Sequence, residues 1–338
     1  MADEAGAVSA RTDGVVPALV VATGPPAVTP ATLDALGDQA RTYLDAARSA
    51  NTHRAYRADW QHFAAWCVEH GLAPLPALPE TLAFYLTAHA GVLKVSTLQR
   101  RLVAIAQAHR VAGHGSLTTD AGVQSVWRGI RRQVGTAQVG KAALLTDDVR
   151  AMVAALPDTT AGIRDRAVIL LGFAGAFRRS ELVALNTADV ELTREGAIVT
   201  IRRSKTDQEA EGQKVGIPRG KHTATCPVRA LTAWSELLGT EDGPIFRSVD
   251  RVGRIRPTRL SDRDVARIVK RAAQRAGLDP ARYAGHSLRA GLATSAAIAG
   301  VEERAIMAQP RHRSVAVARR YIRDGSLFRG NAAAAVGL

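Results

Sequence analysis

Residues 285–321 read GHSLRAGLATSAAIAGVEERAIMAQPRHRSVAVARRY, and this stretch decides the fold and the chemistry of the chain. His286 and Arg289 stand three apart, His312 follows, and Tyr321 comes nine residues later. Positions i and i+3 of a helix share a face, so His286 and Arg289 can address one small anion together. A guanidinium matches a phosphate through two parallel hydrogen bonds and keeps its charge at any working pH. Cations beside a phenol favour its ionised form, which makes Tyr321 a candidate nucleophile toward phosphorus. A lone tyrosine is usually packing. The order of these residues, with two partners upstream, is what separates this one from that case.

The first partner is in FRRSELVAL, residues 177–185, where Arg178 follows an apolar helix and Glu181 sits about one turn on. The second is in SKTD, which places Lys205 at the end of a strand, before a turn and a returning strand. That is how a lysine is carried on a hairpin tip. Only six of the 45 basic residues are lysines, so this one is informative.

The 338 residues suffice for two domains of ordinary size, and 46% hydrophobic content supports a sizeable core. Lys and Arg exceed Asp and Glu by 45 to 31, a formal charge of +14. That balance points to a polyanion, nucleic acid first. Aromatics are 4%, which argues against binding single strands by base stacking and favours duplex DNA contacted through arginine. Cys67 and Cys226 lie far apart and form no metal-ligand pattern, as expected for a reducing cytoplasm. The apolar run Ala167 to Phe177 is too short to span a bilayer. Asp3 and Glu4 open the chain where a secretory signal would be basic. The expectation is a cytoplasmic protein, associated with the nucleoid when bound to DNA, with no metal and no cofactor.

Residues 1–30 lack a helical period and are expected to form a tail. From 31 to 134 helix follows helix. Leu33, Leu36, Ala40, Tyr43 and Leu44 make a first apolar stripe. Asn51-Thr52 is expected to open the next helix, with Tyr56, Trp60, Phe63, Ala64 and Cys67 inward. Pro79, Ser96 and Asp120 are expected to start three more. Residues 135–145 are the expected linker. Its GTAQVGK nearly matches a P-loop, but Ala142 stands where a hydroxyl would hold Mg²⁺ and a helix precedes it, so that reading is rejected. Lys141 is left free to touch a DNA phosphate. The second domain, 146–323, carries one small antiparallel sheet of strands 190–192, 197–202 and 214–217 among helices. Asp324-Gly325 is expected to break the helix bearing Tyr321. The tail 324–338, with Leu327, Phe328 and the run Ala332 to Val336, is a short apolar segment that wants a groove.

The order Arg178, Glu181, Lys205, His286-x-x-Arg289, His312, Tyr321 resembles the catalytic set of the tyrosine recombinase (phage integrase) family. AAWC at 64–67, STLQRRL at 96–102, GHSLRAG at 285–291 and RYIR at 320–323 carry the likeness over roughly residues 35–338. The resemblance implies a mainly α fold: an N-terminal helical core-binding bundle of SAM-like type, then a mixed α/β catalytic domain with a small antiparallel sheet. It implies a site-specific recombinase that cleaves and rejoins duplex DNA through a 3′-phosphotyrosyl bond to Tyr321, without nucleotide or metal. Arg178 and Arg289 would neutralise the phosphate and His286 would be the base or proton relay. Lys205 would be the acid for the leaving 5′-oxygen, His312 a phosphate donor, and Glu181 would orient His286 or an arginine.

By the same resemblance, Thr52, Arg54 and Arg57 on one helix, Gln99, Arg100 and Arg101 on another, and Arg263 would face the major groove. The target would carry inverted-repeat arms. A homotetramer would assemble on two such sites, with each C-terminal tail docked on a neighbouring protomer. One departure stands out. Many members carry Leu-Gly-His where this chain has Pro310-Arg311-His312. Arg311 either adds a clamp on the DNA backbone or weakens the site. A type IB topoisomerase-like enzyme and a catalytically idle DNA-binding regulator of the same fold are the alternatives.

Overall fold

The computed structural model describes residues 30–46, 49–137, 140–202, 212–239, 242–311, 314–326 and 336. The chain divides into two compact units, 1–138 and 139–338. The first is helical throughout its described residues: α1 Pro30–Ala46, α2 Ala50–Glu69, α3 Pro79–His89, α4 Val95–Val111 and α5 Ala121–Val134. Local chemistry sets the starts. The Ser49 hydroxyl accepts from the Thr52 amide and caps α2, just ahead of the expected Asn51-Thr52. Asp120 caps α5 by accepting from the Val123 amide. Ser96 is not a cap: α4 begins before it, with Lys94 at the N-cap.

Phe63 and Cys67 of α2, Leu82, Tyr85 and Leu86 of α3, Leu98, Leu102 and Ile105 of α4, and Val123 and Ile130 of α5 close one core. Tyr56, Trp60 and Ala64 are only partly buried, and Leu33, Leu36 and Tyr43 of α1 stay exposed.

The second unit runs α6 Thr146–Ala154, α7 Thr160–Ala174, α8 Arg179–Ala184, β1 Val190–Leu192, β2 Gly196–Ile201, β3 Gln213–Pro218, α9 Pro227–Leu238, β4 Arg247–Val249, β5 Ile255–Arg259, α10 Asp262–Arg275, α11 His286–Ile298, α12 Glu303–Ala308 and α13 Val315–Ser326. The strands β1-β2-β3 form an antiparallel sheet in which Val199 faces Val190 on one side and Val215 on the other. The antiparallel ribbon β4–β5 is a second sheet that the sequence did not announce. A three-residue strand has too little period to read, and Pro257 interrupts the partner.

Helix α7 lies in the core beside α9, whose Trp234 is fully buried and donates its indole N–H to the Ile245 carbonyl at 2.6 Å. Among the described residues no helix is long and apolar enough to cross a membrane.

Two glycines fix what lies against α11. A Cβ on Gly291 would sit 1.9 Å from the Leu144 carbonyl oxygen. Residues 142–144 are thereby laid along the start of α11, with the Leu144 amide donating to Ser287 O at 3.0 Å and the Ala142 amide to Arg282 O at 2.8 Å. This end of the expected linker is therefore bound to the C-terminal unit. On the other side, a Cβ on Gly325 would meet Thr294 O at 2.6 Å and Ala297 Cβ at 2.8 Å. Gly325 does not break α13, which runs through it to Ser326. It lets α13 approach α11. Gly291→Ala should cost about 1–3 kcal/mol through overpacking, read as a lowered Tm against the parent. An unchanged Tm would mean that the contact with Leu144 is soft.

Candidate active site

The close approach of α13 to α11 brings two side chains together. His286 is the first residue of α11, Tyr321 lies in the second turn of α13, and His286 Nε2 is 3.0 Å from Tyr321 Oη. The Tyr321 ring packs against the small apolar cluster of Ala293, Ala297 and Ile306. One turn into α11, Arg289 is 2% exposed. Its Nη1 donates to the Ala176 carbonyl at 2.7 Å, while Nη2 is buried with no protein partner. A buried donor left unmade is expensive, and an anion bound beside it would satisfy it.

The opposite wall is the turn after α7. Its last carbonyls accept from three side chains: Ala174 O from Gln309 Nε2 at 3.0 Å, Gly175 O from Arg311 Nη1 at 3.3 Å, and Ala176 O from Arg289 Nη1. These oxygens are the negative end of the helix and draw the guanidiniums to it. Ala176 holds φ 46, a left-handed conformation rare for a residue with a Cβ. Arg178 is the N-cap of α8, and its backbone amide donates to Glu181 Oε2 at 2.9 Å. The Arg178 guanidinium donates to Glu181 Oε1, and Arg311 Nη2 donates to Glu181 Oε2 at 2.7 Å. One buried carboxylate thus serves two arginines.

The electrostatics follow from this crowding. Burial pushes Glu181 up, but the Arg178 amide and the charges of Arg311 and Arg178 outweigh it, and the carboxyl ends below its ordinary 4.5. Burial first and the Arg178 charge second bring Arg289 down to about 10, so it stays charged at neutral pH. His286 falls below 6.5, chiefly by loss of solvation and then by the cations Arg289, Arg178, Arg179 and Arg320 around it. Its imidazole is neutral at pH 7.

Of the residues singled out by sequence, Arg178, Glu181, His286, Arg289 and Tyr321 meet in this one site. Glu181 orients Arg178 and Arg311, and His286 is bonded to Tyr321 instead. Lys205 and His312 lie outside the described residues. Arg311 points inward onto Glu181 and is not a clamp on the surface. The sequence also passed over Gln309, Arg179 and Arg320; the last stands directly before the tyrosine, which was a legible signal.

In the N-terminal unit, Arg54, Arg57 and Gln99 are exposed, and Arg54 donates to Asn51 Oδ1. The Thr52 hydroxyl is 2.9 Å from Ser49 Oγ. Arg100 is half exposed and gripped by buried Asp59, through Nε at 2.6 Å and Nη2 at 3.0 Å. Arg101 departs from the expectation of a groove-facing side chain. It is buried and donates Nη1 to Tyr85 Oη at 2.7 Å. In the C-terminal unit Arg263 is exposed on α10, and Lys141 is exposed but not free, since its Nζ donates to Ala281 O at 2.6 Å. Among the described residues no cluster of three or more His, Cys, Asp or Glu could hold a metal.

Residues 143–326 match the profile of the Phage integrase family. The chain is 41% identical over 298 residues to the integrase/recombinase xerD homolog of Selenomonas ruminantium, covering 87% of each chain. It is 26% identical over 319 residues to the recombinase cre of Escherichia phage P1, covering 86% of this chain and 91% of that one. In fold it is similar to lambda integrase, solved as a tetramer bound to a Holliday junction: TM-score 0.59 and 20% identity over 87% of this chain and 78% of that one.

Glu181→Gln would leave the largely buried Arg311 and the partly buried Arg178 guanidiniums beside each other without an anion, at a cost of about 3–5 kcal/mol in unfolding free energy. Because the folded carboxyl titrates below its ordinary value, its contribution is full above pH 4.5 and lost as pH falls through the lower folded value. The gap between parent and variant should therefore be wide at pH 7 and close in acid. A gap that persists unchanged into strong acid would show that charge is not the cause.

Proposed function

The chain belongs to the phage integrase family of tyrosine recombinases and performs site-specific DNA recombination, and from that premise we propose that Tyr321 is its nucleophile and that Arg178, Glu181, His286 and Arg289 are the machinery around it. The observation that carries this reading is the hydrogen bond between Tyr321 and His286 within one chain, beside the buried guanidinium of Arg289. Each protomer then cuts with its own tyrosine.

Tyr321 Oη attacks the scissile phosphorus and its proton passes to His286 Nε2, whose lone pair is available because the imidazole is neutral. The P–O5′ bond breaks, leaving a 3′-phosphotyrosyl linkage and a 5′-hydroxyl whose proton comes from Lys205. Arg178 and Arg289 meet the charge that develops on the nonbridging oxygens, and His312 donates to the same phosphate. In the second step a 5′-hydroxyl of the partner strand attacks the phosphotyrosine, Tyr321 leaves and is reprotonated, and the backbone is restored. The covalent bond conserves the energy of the phosphodiester, so neither nucleotide nor metal enters the balance.

The partner is duplex DNA, contacted by the exposed Arg54, Arg57, Gln99, Arg100 and Arg263, in the cytoplasm on nucleoid DNA. Arg101 is left out of this set because its guanidinium is spent inside the bundle. The target carries inverted-repeat arms, and a tetramer assembles on two sites, an assembly supported by the likeness in fold to lambda integrase. The acceptor for a neighbour's tail is a cavity of about 420 Å³ lined by Phe173, Leu292, Ala296, Val301, Ile306 and Pro310. Its apolar wall suits the Leu, Phe, Ala and Val of residues 327–338.

A supercoiled plasmid carrying two copies of a site selected from a random duplex library should be resolved into two circles by the parent. Tyr321→Phe should bind that site within a few-fold and give no product. Relaxation without resolution would assign a topoisomerase, and binding without cleavage by the parent would assign an idle regulator. The single-turnover cleavage rate should hold its plateau below pH 6.5, because His286 must lose its proton to act and does so at a lowered pKa. A fall beginning above pH 6.5 would remove His286 from the base role. Deleting 327–338 should spare binding to a half-site and abolish synapsis. Recombination at the parent rate by the truncated chain would empty the cavity of this role.

A further inference from the structure

Among the described residues, two that are not glycine hold a left-handed backbone, and both stand in this site: Ala176 and Arg311, the latter at φ 58. A residue with a Cβ keeps such a conformation only where its surroundings hold it there. Glycine would take it without strain. The side chain of Arg311 must therefore do something that glycine cannot.

It does not reach out to solvent. Only 9% of it is exposed, and its guanidinium lies 5.3 Å over the Phe177 ring. Nη2 donates to Glu181 Oε2, Nη1 donates to Gly175 O at 3.3 Å and Gln309 O at 3.1 Å, and Nε is buried without a partner. Both ends of the fork are spent on the wall that carries the other arginines. Glu181 is the carboxylate that holds Arg178, and the Gly175 carbonyl precedes the Ala176 carbonyl that holds Arg289. Arg311 also ties the segment after α12 to the turn after α7, two parts of the chain far apart in sequence.

We infer that Arg311 is a positioning residue for strand cleavage: by filling one oxygen of Glu181 and the Gly175 carbonyl, it confines the Arg178 guanidinium to the other oxygen and holds both phosphate-binding arginines at a fixed separation. It touches no DNA. It also leaves the pocket one positive charge richer than a glycine would, behind the place where the transition state accumulates negative charge. This inference rests on the recombinase chemistry proposed for the same site.

The test compares the full-length parent, Arg311→Gly and Arg311→Lys on a nicked duplex carrying the site selected by the parent, with Tyr321→Phe as the blank. Arg311→Gly relieves the backbone and should fold. It should bind the duplex within about threefold of the parent and cleave it about 10²-fold more slowly, the size expected when a reacting group is displaced by about an ångström. Methylguanidinium in the buffer should restore part of the rate, and Arg311→Lys should fall between. Cleavage by Arg311→Gly at the parent rate overturns the inference, as does a loss of binding equal to the loss of rate. An adduct that fails to form with the parent itself counts against the recombinase reading and not against Arg311. The position of Arg178 is then read directly, from the exchange rate of its Nε–H by NMR in the free protein. Faster exchange in Arg311→Gly supports the inference, and an unchanged rate overturns it.

Discussion

A single buried carboxylate makes the site possible. Arg178, Arg289 and Arg311 converge on the same site, and guanidiniums with little solvent between them repel one another unless an anion stands among them. Glu181 accepts from the Arg178 guanidinium on Oε1, and from both the Arg178 amide and Arg311 Nη2 on Oε2. The carbonyls at the end of α7 and in the turn after it supply the rest of the negative field, and that of Ala176 takes Arg289. Glu181 is 2% exposed, so its charge acts at close range without screening by solvent. Two buried donors of the site remain without a protein partner, Arg289 Nη2 and Arg311 Nε, and an anion beside the first would satisfy it.

Tyr321 is placed by a different constraint, the packing of α13 on α11. Gly325 removes the Cβ that would strike Thr294 O, and the tyrosine a turn earlier then lies against His286. On the far side Gly291 lets residues 142–144 lie against the same helix. Helix α11 is thus gripped on both sides, and its first two turns carry His286 and Arg289 at a fixed spacing. Geometry and charge meet at His286, whose neutrality at pH 7 follows first from its burial and then from the cations crowded around it.

Much of this was legible in the sequence, for physical reasons. Long amphipathic helices announce themselves by their period, and the ordered set Arg178, Glu181, His286, Arg289, Tyr321 came together in one place when folded. Arg101 was legible too, by the period itself: it shares the inward face of α4 with Leu98, Leu102 and Ile105, and it is buried with them. Other features had no signal. The ribbon β4–β5 is too short to show a period. Gly325 looks the same in sequence whether it ends a helix or lets two helices meet. The conformation of Arg311 is not written in its side chain, and an arginine at a glycine position could have faced either way. Nothing in the sequence marked Asp59, which the fold buries under Arg100.

The bond proposed between Tyr321 and DNA can be read without kinetics. The parent is trapped on a nicked duplex carrying its selected site, digested with protease and nuclease, and the nucleotide-bearing peptide is sequenced by mass spectrometry. One modified peptide is expected, with Tyr321 carrying a nucleotide through its 3′-phosphate. A nucleotide on any other residue, or a linkage through a 5′-phosphate, would contradict it.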